Sequence, residues 1–200
     1  MKPAQVSLAA NGVSPLIFTD YLQTPFNMSV GVCCTPAPTL TYQPQVSIDD
    51  PSPTAKRPVS LSQTTTVITV TADKGSIGGG GGHGLSIGDV VQLTGTANAS
   101  GVNVDGLYPV ASVVSVTSYT LTSPTSQSFS DGGASLAQGY RMFPLYTAVV
   151  GGTTARTLVS ISGGSTAATV ISGPISCIRL SVTSYTGGTA TMSVLQGISG

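Results

Sequence analysis

The chain has 200 residues, enough for one generous β-sandwich or for a sandwich carrying a second small module. Only 7% of its residues are charged, against about 25% in an average soluble domain; every acidic residue is Asp, and seven basic side chains balance seven acidic ones. That balance argues against a nucleic-acid partner, which needs a basic surplus, and no apolar run approaches the roughly 18 residues of a membrane-spanning helix.

A neutral surface resists self-association poorly, since small soluble domains normally carry a net charge of roughly 2–8. Such a chain is tolerable if much of its surface is meant to be covered. The opening Met1-Lys2-Pro3-Ala4-Gln5-Val6-Ser7-Leu8 has no apolar stretch of the kind a secretory leader uses. Cys33, Cys34 and Cys177 are odd in number and lack framework spacing, so they read as small buried hydrophobes in a reducing cytoplasm.

In chain order, helix-forming periodicity is nearly absent, and short alternating runs bounded by Gly, Pro, Asn or Asp recur instead. Residues 5–10 read as a strand stopped by Asn11-Gly12, and 16–18 as a second. Residues 27–34 place Met28, Val30, Val32 and Cys34 on one face. Residues 40–48 form another strand, with Pro44 predicting an edge position or a bulge because proline cannot donate to a ladder. Residues 51–63, with three prolines and Lys56-Arg57, read as a loop leaving the first domain.

The middle of the chain predicts a small antiparallel barrel of four or five strands. These are 65–71, 89–94, 107–113 and 118–122, with a flexible glycine loop at 75–84 and a turn at 98–101. After residue 141, 155–161 is a strand. Residues 176–185 and 189–196, separated by Gly187-Gly188, predict a β-hairpin.

Several stretches bear a resemblance. Tyr21-Leu22-Gln23-Thr24-Pro25-Phe26-Asn27 with Ile48-Asp49-Asp50-Pro51 resembles the opening of small structural proteins of tailed bacteriophages, and residues 171–188 are similar to the hairpins in which such proteins end. Residues 83–95 with Asn103-Val104-Asp105-Gly106-Leu107-Tyr108-Pro109-Val110 look like a small β-module inserted in phage virion proteins. These likenesses are at the level of pattern, which fixes no role by itself. The resemblance implies a virion component, a capsid cement or decoration protein packed on the major capsid protein. A tail, neck or head-fibre component is the alternative.

The glycine run before His83 lacks the Gly-Lys-Ser/Thr and following helix of a phosphate cradle. His83 is the single histidine, with Asp73 and Asp89 its nearest acids, and reads as a turn-capping or exposed residue rather than a catalytic base. Asp20, Asp49, Asp50, Asp73, Asp89, Asp105 and Asp131 read as turn aspartates bonding nearby backbone; adjacent Asp49 and Asp50 point to opposite faces and cannot work as a hydrolytic pair, and no calcium-loop spacing occurs. Arg179 reads as a solvated strand face or an intersubunit contact.

The expected architecture is therefore all-β: a discontinuous jelly-roll-like sandwich from 1–63 and 141–200, with 64–140 inserted as a small barrel. The expected function is non-enzymatic. It involves no catalytic, cofactor or metal residues, no nucleic acid and no membrane, and the subunit is a homo-oligomer, dimer or trimer, assembled in the bacterial cytoplasm into a virion. A depolymerase lacks an acid cluster. A host-glycan adhesion module would need Tyr21, Tyr42, Tyr108, Tyr119, Tyr140, Tyr146 and Tyr185 as stacking platforms, and there is no Trp to help.

Overall fold

The computed structural model describes residues 2–22, 27–51, 56–73, 81–96, 102–131, 135–152, 155–162 and 175–196; the side chains of Lys2, Asn27 and 155–162 are not described. Among these residues every regular element is a strand, and the chain divides into two compact units, Met1–Ile48 with Phe143–Gly200 and Asp49–Met142. The strands expected from alternation are largely present, but the boundaries between them differ in instructive ways.

The first unit is organised by two long strands, β4 (Asn27–Ser47) and β13 (Cys177–Gln196). They run antiparallel beside each other from Ser47 opposite Cys177 to Met28 opposite Gln196. Short strands line the outer side of β13: β1 (Lys2–Leu8), β2 (Gly12–Val13) and β3 (Ile17–Phe18). Others line the outer side of β4: β10 (Phe143–Pro144), β11 (Ala148–Gly151) and β12 (Ala155–Ser162).

Even-numbered residues face inward along both long strands. Met28, Val30, Val32 and Cys34 continue as Leu40, Tyr42 and Val46 on β4; Ile178, Leu180 and Val182 continue as Ala190, Met192 and Val194 on β13. All of them belong to one apolar cluster, so the two ends of the same sheet close over a shared core. This is a sandwich made by folding one sheet on itself. The register does not describe the paired Greek keys of the expected jelly roll.

The fold-over has a specific corner. Thr35 pairs with Thr189 and Thr39 with Gly187, so Pro36, Ala37 and Pro38 face only Gly188. Two prolines and Ala37 at φ 38° bend β4 there, and bulges at Val182/Ser184 and Tyr185/Gly187 bend β13 with it. Gly187-Gly188 is thus not a hairpin turn, as the sequence predicted. The chain passes through it and continues along the same partner, because β4 is long enough to pair with both sides. Likewise 27–34 and 40–48 are one strand.

Pro44 is also central rather than at an edge, opposite Leu180 on one side and beside β10 and β11 on the other. Its carbonyl accepts from the Leu145 amide (2.8 Å), so the missing donor points the same way, into the gap between β10 and β11, and the ladder to β13 is intact.

The second unit is a closed five-stranded barrel in the order β5-β8-β7-β6-β9. Its strands are β5 (Arg57–Thr71), β6 (Val90–Thr94), β7 (Gly106–Ser115), β8 (Ser118–Ser130) and β9 (Ser135–Tyr140). Strand β5 closes it by pairing with β9 through Arg57–Val59 and with β8 through Ser62–Val70. The insertion therefore spans 49–142 rather than 64–140. The expected exit loop is in part β5, with Pro58 near the strand start where proline is tolerated. The barrel core is built from alternate residues of these strands, among them Val59, Leu61, Ile68, Val70, Tyr119 and Leu121. The predicted turn at 98–101 and most of the glycine loop lie outside the described residues.

The corner makes a sharp prediction. Gly188 has φ +88°, and a Cβ there would sit 2.6 Å from Pro38 Cα; at Gly187 nothing lies within 4 Å. Gly188→Ala should cost about 2–4 kcal/mol through left-handed strain and overpacking, whereas Gly187→Ala should stay within about 1 kcal/mol. Urea unfolding of the two variants checks this; equal losses would remove the corner from the account.

Candidate functional site

The densest gathering of titratable side chains lies in the barrel. Strand β5 presents Arg57 at its first residue; at its other end Ala72, with φ 61°, turns the chain so that Asp73 points inward with no exposed surface. Arg57 Nε donates to Asp73 Oδ1 (2.8 Å) and Nη2 to Oδ2 (3.1 Å), a forked ion pair. The Tyr119 hydroxyl of β8 donates to the same Oδ2 (3.0 Å). Burial, reinforced by Asp73, pushes the Tyr119 hydroxyl far above the usual tyrosine range. Burial opposes the charge of Arg57, but its hydrogen bond to Asp73 and the attraction between them outweigh that and raise its pKa.

His83 packs edge-on against the Tyr119 ring, 4.8 Å between centroids, and is buried rather than exposed. Its Nδ1 accepts the Leu85 amide (3.0 Å), so the proton sits on Nε2, which donates to the Ser115 carbonyl (2.8 Å). The turn-capping half of the expectation describes its Nδ1; the exposed half does not hold, because the ring fills space beside Tyr119. An open, mostly apolar recess lies over this residue, bordered by Leu85, Val113 and Val116. Both ring nitrogens are turned to backbone groups, so the recess meets no free base there.

Asp131, Asp89, Asp105 and Asp49 are likewise bound, to backbone amides, hydroxyls or arginine. Asp131 Oδ1 accepts the Leu61 amide (2.6 Å) and Oδ2 the Ser135 hydroxyl, tying β5 to the start of β9. Asp89 accepts the amides of Ser86 and Met142, both at 2.8 Å. Asp105 Oδ1 accepts both the Thr96 amide (2.9 Å) and hydroxyl (2.8 Å); burial opposes its ionised form, but these bonds win and hold it below the ordinary range. Asp49 does more than cap a turn. It accepts from Arg141 Nη2 (2.6 Å), Nε and backbone amide, while Gln138 Nε2 donates to the Asp50 carbonyl (2.5 Å). These bonds clamp the two ends of the inserted barrel to each other.

In the sandwich, Arg179 is buried rather than solvated. Its Nε donates to Gln45 Oε1 (2.8 Å) on the facing strand, and the row continues through Gln43 to Thr147. Cys34 and Cys177 are buried and Cys33 half-buried, all free thiols; burial, then Cys33, raises the Cys34 thiol. Of the tyrosines named as stacking platforms, Tyr42, Tyr108, Tyr119 and Tyr140 lie in the interior, while Tyr21, Tyr146 and Tyr185 are half-buried. Among the described residues, no three His, Cys, Asp or Glu side chains converge to hold a metal ion.

Sequence inspection located His83 and every aspartate but not their partners. Arg57 with Asp73, Leu61 with Asp131 and Asp49 with Arg141 are separated by 16, 70 and 92 positions, and no local motif marks such pairs. No protein-family model matches the chain, and a search of curated proteins finds no match either.

As a chemical arrangement, the Arg57–Asp73–Tyr119 cluster fastens the ends of β5 to β8. Asp73→Asn should destabilise the barrel by about 3–5 kcal/mol by leaving Arg57 without its counter-charge, and Tyr119→Phe by about 1–2 kcal/mol. Equilibrium unfolding of the intact chain measures both. Losses near zero for Asp73→Asn would mean that the pair does not hold the strands.

Proposed function

We propose that the protein is a non-enzymatic structural subunit of a bacteriophage particle, a cement or decoration protein packed on the major capsid shell and on copies of itself. The observation that carries this reading is where the charges are. Of the fourteen charged residues only Lys2, Asp20, Arg156 and Arg179 belong to the sandwich, and Arg179 is buried. In the barrel most carboxylates are bound to backbone amides or arginines. The sandwich surface is left almost uncharged while it exposes Phe18, Leu22, Ile48, Phe143 and Val149.

A free particle with such a surface has little electrostatic protection against association. Cover by neighbouring subunits resolves the conflict, and a stable contact needs roughly 800 Å² per partner. The phage assignment rests on the sequence resemblance; the uncharged sandwich supports a packed subunit. The interior placement of four tyrosines favours packing over glycan stacking.

Labelling the protein in purified particles and imaging them tests the reading directly. The expected result is regular decoration of the capsid shell. Protein absent from purified particles would contradict the structural-subunit reading, and label confined to tail or neck would contradict the capsid assignment.

A further inference from the structure

Resting on that reading, we infer that the subunit associates with a second copy of itself by antiparallel pairing of β1 with β1 across a two-fold axis, which continues the folded sheet from one copy into the next. Strand β1 pairs with β13 along one side only; among the described residues no strand pairs with its other side. An unpaired edge presents a row of N–H and C=O groups that only another strand satisfies in register. Natural guards stand at one end, Lys2 and Pro3. From Ala4 to Leu8 the strand has neither charge nor proline.

The side chains specify what that other strand is. Val6 and Leu8 face the core and pack against it, yet remain only partly covered, and among the described residues no strand flanks them on the open side. Gln5 and Ser7 face outward, bonded across to Ser193 and Thr191, and are exposed. A partner must therefore alternate apolar-in and polar-out over the same length. A second β1 does so when even-numbered residues stand opposite even-numbered ones. A one-residue slip would turn the apolar set to solvent, so the alternation also fixes the register class. The two-fold places each Lys2 at an opposite end of the paired strands, away from its copy.

The test uses the intact chain. Gln5→Lys with Ser7→Lys places like charges opposite each other when 5 stands opposite 5, 5 opposite 7 or 7 opposite 7, without touching the core, as does Gln5→Asp with Ser7→Asp. Sedimentation across a dilution series should show wild-type dimers and dissociation shifted to at least tenfold higher concentration in each double variant, with circular dichroism unchanged. Mixing the lysine and aspartate variants should restore association, which also guards against misfolding as the cause. Val149→Lys, on β11, should leave the mass unchanged. Wild-type association that survives both double variants would overturn the β1 pairing while leaving the structural-subunit reading in place. A wild-type chain that stays monomeric at every concentration would overturn the pairing outright, with particle labelling left to decide the subunit reading separately.

Discussion

The sandwich depends on the pairing of two long strands that bend together. Strands β4 and β13 stay in register on both sides of a corner where Pro36, Ala37 and Pro38 oppose Gly188 alone. Because the inward residues are even-numbered before and after the corner, neither strand changes face as it turns. One sheet can then supply both layers of the core, and the six short strands are additions to its flanks. The corner needs a residue with no Cβ at the point of contact, since Pro38 already occupies that space.

The barrel solves a different problem. Its closing pairing is short, since β5 meets β9 over only Arg57, Pro58 and Val59. Polar fasteners compensate. Asp131 fixes β5 to the start of β9, Asp73 joins Arg57 to Tyr119, and Asp49 with Arg141 ties together the two ends of the barrel segment. Few charges are present in the chain, and those in the barrel are largely committed to its own backbone. Both facts lead to one consequence: little charge remains to keep the surface of the molecule apart from other surfaces.

The all-β class and the barrel strands were legible because alternation is a local signal. Thr65-Thr66-Val67-Ile68-Thr69-Val70-Thr71 and Ser118-Tyr119-Thr120-Leu121-Thr122 could be read as strands without any partner. The errors share one cause, which is that the deciding neighbour is distant. Gly187-Gly188 has the composition of a turn, and only the bend of β4 opposite it makes it a bulge. Pro44 looks like an edge residue until the gap between β10 and β11 is seen to receive its missing donor. Strand β9, Ser135-Leu136-Ala137-Gln138-Gly139-Tyr140, went unread because both of its faces are largely buried and it hardly alternates. Arg179 looked solvated for the same reason, its partner Gln45 lying across the sheet.

The claim that the rest depends on is that β4 and β13 hold the two layers of the sandwich as one cooperative body. Native-state hydrogen exchange tests it most directly. The amides of 28–34 and 190–194 on one side of the corner, and of 40–43, 45–46 and 178–182 on the other, should exchange through a single opening with one shared free energy. Two separate openings, with one side of the corner exchanging at a much lower free energy than the other, would contradict the account.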